Sequence, residues 1–142
     1  MVNEDFPIVL ETLEIGQNPS FDNFFRNSFI HYYLRIPELQ DFSDEDRLTV
    51  AKHRRDTIEN ISKFCVGFDK VDKNVFYSFI AYTYSENQLF VHFAYVKKKF
   101  RGFGFFKESL QILKESANEY YYSLPIKLKK KNYMPEFQKR VI

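Results

Sequence analysis

The 142-residue chain has no tryptophan, one cysteine and only four glycines. A single cysteine excludes an intrachain disulfide framework, so packing must hold the fold and a reduced compartment is expected. Cys65 stands in the apolar stretch Phe64-Cys65-Val66, with no helix start and no histidine beside it, and is assigned to the core rather than to nucleophilic chemistry. No apolar run approaches the roughly 18 residues of a membrane span, and Met1-Val2-Asn3-Glu4-Asp5 is acidic where a secretory leader is basic. The expectation is a cytoplasmic protein with no membrane partner. No His/Cys/Asp/Glu spacing marks a metal site, and His31 and His53 are separated by a turn-rich segment. A Gly-x-Ser-x-Gly elbow and a Walker-type Gly-Lys-Ser/Thr are also missing, which removes those hydrolase and nucleotide-binding classes.

What the chain does have is aromatic mass and a divided charge. Seventeen Phe and ten Tyr are enough to build a core without metal or disulfide support, and the length fits one domain over 1–142. Part of that content has the stamp of an AT-rich genome, in which Phe, Tyr, Lys, Asn and Ile dominate. Residues 1–96 hold 9 Lys/Arg against 15 Asp/Glu, whereas residues 97–142 hold 12 against 4. A basic final third, with a basic tail from about residue 129, suits a phosphorylated ligand, nucleic acid or an acidic protein surface. The plainer account is a solvated surface whose charges balance across the fold.

Element signals follow in order. Residues 6–15 are expected to be extended, and Gly16-Gln17-Asn18-Pro19 is a turn cluster. A helix then starts at Ser20 or Asp22 as cap, with Phe21, Phe24, Phe25, Ser28, Phe29, Tyr32 and Tyr33 at helical spacing until Ile36-Pro37 interrupts it. Ser43 and Asp46 form a short-armed capping box for a second helix reaching about Ser62, with Leu48, Ala51, Ile58 and Ile61 facing inward. Strand signals occupy 63–68, 75–84 and 89–96, and their short polar connections predict an antiparallel meander. A helix over about 105–119 and a strand over 120–128, interrupted by Pro125, complete an α+β or α/β domain. The remainder, through Pro135-Glu136-Phe137, is expected to be an exposed connection and a short terminal element.

Arg101-Gly102-Phe103-Gly104 lies where the third meander strand turns into an amphipathic helix. Glycines there permit a tight turn and the close approach of an anion, and the first free amides of the helix point at whatever enters. With Val96, Phe100, Arg101 and Gly104 in register, the segment from Val96 to Lys107 resembles the Arg/Gln-x-x-Gly-x-Gly/Ala loop of the GNAT acyltransferase superfamily. The order of elements over about 43–120 resembles that family too. The resemblance implies a mixed, mainly antiparallel central sheet flanked by helices, and acetyl-CoA as cofactor. It assigns Ala94 and Val96 to the pantetheine arm, and Arg101, Gly102, Phe103, Gly104, Phe105 and Phe106 to the pyrophosphate. Tyr133 falls near the family's thiolate-protonating Tyr. Two features depart from the pattern: Phe106 stands where the family has Gly or Ala, and little chain follows the late strand.

The activity implied is N-acetylation of a small-molecule or protein amine. His92, spaced to share a strand face with Ala94 and Val96, has the chemistry of a base but is more simply a satisfied sheet histidine; Glu86 is more simply an exposed turn residue. The alternative is a non-catalytic relative of the fold, a structural or interaction subunit with protein partners in a larger assembly. A looser likeness to small acetyltransferase-like proteins of tailed phages, in Tyr95-Val96-Lys97 to Phe100-Arg101 and the acidic helix before Cys65, gives a virion assembled in the host cytoplasm as the example. The Lys97-Lys98-Lys99-Arg101 and Lys127-Lys129-Lys130-Lys131 clusters match no established nucleic-acid module and are assigned to solvated loops.

Overall fold

The computed structural model describes residues 8–124 and 136–141. Six strands form one sheet in sequence order: β1 (Ile8–Leu13), β2 (Lys63–Asp69), β3 (Phe76–Ser85), β4 (Gln88–Val96), β5 (Glu119–Leu124) and β6 (Glu136–Val141). All neighbours are antiparallel except β4 and β5, which run parallel, as a helical crossover requires. Helices α1 (Pro19–Tyr33) and α2 (Asp44–Ile61) lie between β1 and β2, and α3 (Phe105–Lys114) links β4 to β5. The fold is therefore the mixed, mainly antiparallel sheet with flanking helices that the resemblance implies.

Two apolar clusters, one on each sheet face, explain why β2 and β3 are apolar almost throughout. On the α1/α2 face, Phe21, Phe25 and Phe29 recur every four residues and pack on Phe64 and Phe79. The Phe25 and Phe64 rings meet edge to face at 4.8 Å. Burying each such ring stabilises the fold by about 1.5–3 kcal/mol. On the other face, Leu113 of α3 meets Cys65, Ile80, Tyr82, Leu89 and Val91.

Several boundaries differ from the sequence expectation. The cap of α1 is Asn18, whose side chain accepts from the Phe21 amide at 3.1 Å, with Pro19 in the first turn. Asp22 instead accepts from the Gly16 amide and fastens the preceding turn. Ser43 caps α2 as predicted, accepting from the Asp46 amide. Its inward stripe is Val50, Ala51, Arg54 and Ile58, while Leu48 and Ile61 are exposed. Val50 packs with Ile36 and Leu39 in a small third cluster, which rotates the helix away from the expected stripe. Helix α3 stops at Lys114 rather than near 119, because Glu119 to Tyr122 are taken up in pairing with Gln88 to Val91. The Tyr84 hydroxyl donates to the Leu113 carbonyl at 2.6 Å and satisfies the helix end. The expected continuation of β5 over 125–128, and Tyr133 with most of the basic tail, lie outside the described residues.

Candidate functional site

Strands β4 and β5 pair over only four residues, from Gln88 with Glu119 to Val91 with Tyr122. β4 then continues for five residues to Val96 without that partner. Among the described residues no strand pairs with this edge, so the Ala94 groups and the Val96 amide are left open to an extended ligand of the kind that adds to a sheet edge, while the Val96 carbonyl accepts from Arg101.

A bulge marks the point of parting. Ala81 pairs with Phe93 and Tyr82 with Val91, so His92 is the extra residue of β4. The insertion reverses the alternation. Leu89, Val91 and Ala94 belong to the α3 face, whereas Phe93 and Tyr95 pack on the α1/α2 face. His92 falls on that second face, bonded through Nε2 to Thr83 Oγ1 at 3.0 Å and under the influence of Arg54 from α2. It does not share a face with Ala94, as simple alternation predicts. Burial, with Arg54 adding to it, pulls its pKa down to about 4, so the imidazole is neutral at pH 7. It is a packed, hydrogen-bonded sheet histidine.

Beyond Val96 the chain makes a 3₁₀ turn over Lys98–Phe100 and reaches the glycine corner. Gly102 and Gly104 have φ of +90° and +85°, and nothing lies within 4 Å of where either Cβ would stand. Their glycines are required by backbone conformation, not by crowding. Gly104 is the N-cap of α3 and supplies no side-chain acceptor, so the first amides of the helix are not satisfied by their own cap. Uncapped helix-start amides of this kind make a cradle to which oxyanions are drawn. Phe105 is buried, while Phe103 and Phe106 are 66% and 41% exposed.

Tyr77 supports the corner. It is the extra residue of a second bulge, where Gly67 pairs with Ser78 and Phe68 with Phe76. Its carbonyl accepts from the Lys97 amide at 2.9 Å, and its ring lies 4.4 Å from Phe100 and 5.9 Å from Phe105. Its hydroxyl donates to Asp69 at 2.6 Å, which raises the Tyr77 pKa and lowers that of Asp69. Sequence reasoning passed over Tyr77, because a bulge leaves no periodic signature.

Arg101 turns back from the corner. Its Nε donates to the Val96 carbonyl at 2.9 Å and its guanidinium lies 5.8 Å over the Tyr95 ring. That places it beside a cleft of about 390 Å³ between the last turn of α1 and the end of β4, lined also by His31, Tyr32, Arg35 and Lys98. The sequence pointed to none of the contributors from the end of α1 and the turn after it, although His31 and Arg35 stand four residues apart there.

Cys65 is buried, and burial pushes its thiol up to about 11, opposed by a hydrogen bond with Ser109. A thiol so poorly ionised is the core residue expected. No metal-binding cluster occurs among the described residues, and no helix there is long and apolar enough to cross a membrane.

No protein-family model matches the sequence, and no curated protein is detectably similar to it. Solved structures do match. PaiA N-acetyltransferase from Thermoplasma acidophilum, solved in complex with coenzyme A, aligns over 94% of this chain and 99% of its own, with a TM-score of 0.57 at 10% identity. An acetyltransferase of the GNAT family from Staphylococcus aureus Mu50 aligns over 82% of this chain and 74% of its own, with a TM-score of 0.50 at 14% identity.

Proposed function

Because this chain has the GNAT fold, we propose that it is an acetyl-CoA-dependent N-acetyltransferase acting on an amine of a small molecule or protein. The observation that carries this reading is the parting of β4 from β5 beyond Val91, with the uncapped start of α3 at the open end. Bound there, acetyl-CoA would supply the acetyl group and a thiolate leaving group. On this reading the backbone of Ala94 and Val96 pairs with the pantetheine amides. The amides from Gly102 to Phe106 neutralise the pyrophosphate, and Arg101 adds positive charge beside them. The acceptor must lose a proton and the departing thiolate must gain one. Tyr133, which lies outside the described residues, is assigned as the proton donor. His92 is not assigned as the base, since it is buried on the opposite face from Ala94.

Calorimetry with acetyl-CoA tests the cofactor. Binding below millimolar concentration is expected, and no heat at millimolar concentration overturns the proposal. Phe106, with its ring 41% exposed, is expected not to block the cradle, so Phe106→Gly should leave the affinity unchanged. A marked gain would identify the ring as an obstacle. One observation favours the second reading, a non-catalytic interaction subunit: Phe103 and Phe106 present two exposed rings at the same corner. The same titration separates the two readings.

A further inference from the structure

The cleft beside Arg101 holds two further cations, Arg35 and Lys98, that the acyl-CoA reading leaves unexplained. Its described lining brings Arg35, Lys98 and Arg101 together with His31 and contains no carboxylate. None of these side chains forms an ion pair with a described residue; the ion pairs found involve Arg26, Arg47 and Arg55. Gathering like charges at one mouth costs free energy unless an anion is drawn there.

Both guanidinium groups are held in place through one donor each. Arg35 Nη1 donates to the His31 carbonyl at 2.8 Å, and Arg101 Nε donates to the Val96 carbonyl at 2.9 Å. A guanidinium has five N–H donors in a rigid fork, so one anchoring bond fixes its position and leaves most of its donors for an oxyanion. The walls between the charges are rings. Tyr32 is 44% exposed and lies edge to face with Phe93, and Tyr95 stacks on Phe79 at 5.8 Å. The cleft is open to solvent, and its volume of about 390 Å³ lies within the range of small-molecule sites.

The geometry points to a binding site for a small molecule that carries a carboxylate or phosphate on an apolar or aromatic body. Resting on the acetyltransferase reading, that molecule is the amine acceptor, gripped by its anionic end. Tyr95 sits between Ala94 and Val96 on the strand that parts from β5, so the cleft lies against the same strand whose open edge is assigned to acyl-CoA. An acceptor anchored by its anion at Arg35 and Lys98 is held at the side of β4 away from α3. Specificity then comes from the anchor, because a neutral analogue leaves several cations without a partner.

Amide chemical-shift titration of the full chain tests this with phenyl phosphate and benzoate as probes and benzamide as the neutral control. Both anions are expected to shift the amides of Tyr32, Arg35 and Tyr95, with benzamide binding at least about tenfold more weakly. The Arg35→Gln/Lys98→Gln double variant should weaken phenyl phosphate by about tenfold or more while acetyl-CoA affinity is unchanged. Lys98→Gln alone, at an exposed position, gives a smaller loss in the same direction and serves if the double variant is poorly folded. Equal binding of benzamide, or an unchanged phenyl phosphate affinity in the variants, overturns the site. An acetyl-CoA affinity that falls in step with that of phenyl phosphate overturns the acceptor assignment and gives the cations to the phosphates of CoA. Phenyl phosphate binding in a parent that takes up no acetyl-CoA sinks the acetyltransferase reading and upholds the anion site.

Discussion

Gly67 and Gly104 show how the same residue type answers two different demands. A Cβ on Gly67 would stand 2.6 Å from Ser78 Oγ and 2.7 Å from Ile8 Cδ1, both on buried residues, so the strand needs hydrogen at that point. Gly104 has open space beside it but a φ of +85°, so its demand is conformational. Gly67→Ala is expected to cost about 1–3 kcal/mol by overpacking, and Gly104→Ala about 1–2 kcal/mol through the left-handed backbone. Urea denaturation reads both losses. Only Gly104→Ala should also weaken acetyl-CoA binding in the calorimeter, and equal effects of the two substitutions on affinity would detach the corner from the ligand. From sequence the two glycines are indistinguishable except by context: Gly104 follows a strand signal and opens a helix, whereas the need at Gly67 arises from side chains on β1 and β3.

Elements are set by local signals that compete at their ends. Asn18, Ser20 and Asp22 are all competent helix caps, and the choice fell to Asn18 because Asp22 is engaged by the Gly16 amide. Asn18→Ala should therefore cost about 1 kcal/mol. Ser20→Ala, at an exposed helical position, should stay within about 0.5 kcal/mol of the parent. Chemical denaturation of the two variants reads the difference, and the reverse ranking would move the helix start. The same competition shortened α3, which stops at Lys114 instead of about 119, with Glu119 taken into the strand that pairs with β4. Both bulges lie at element scale too. One extra residue at His92 turns that side chain to the face opposite Ala94, and one at Tyr77 sets the support for the glycine corner.

At the scale of the whole molecule, the two-sided sheet makes stability depend on pH through a buried neutral histidine. His92 titrates near 6.5 when solvated and at about 4 in the fold, since burial disfavours its charged form and Arg54 adds to that. Between those values the unfolded chain binds more protons than the folded one, so stability rises with pH across this window. The contribution is present in full above pH 6.5 and is lost as pH falls through 4. The loss is on the order of 3 kcal/mol. Urea midpoints measured from pH 7 down to 4 should fall accordingly in the parent and less steeply in His92→Gln; parallel curves would assign the acid sensitivity to other groups.

The sequence by itself determined the helices, the meander and the glycine corner, because each is encoded by local periodicity or by backbone freedom at neighbouring positions. It also placed Cys65 in the core and Val96 at the end of the strand that opens the site. Tertiary structure alone decided the rest: where β4 leaves β5, which face His92 takes, that Arg101 lies over Tyr95, and that Arg35, just past α1, joins Lys98 beside it. Those outcomes depend on pairing register, as at His92 and at the end of β5, and on packing of the folded chain, which joins Arg35 to Lys98 across more than sixty positions; no local periodicity carries such information.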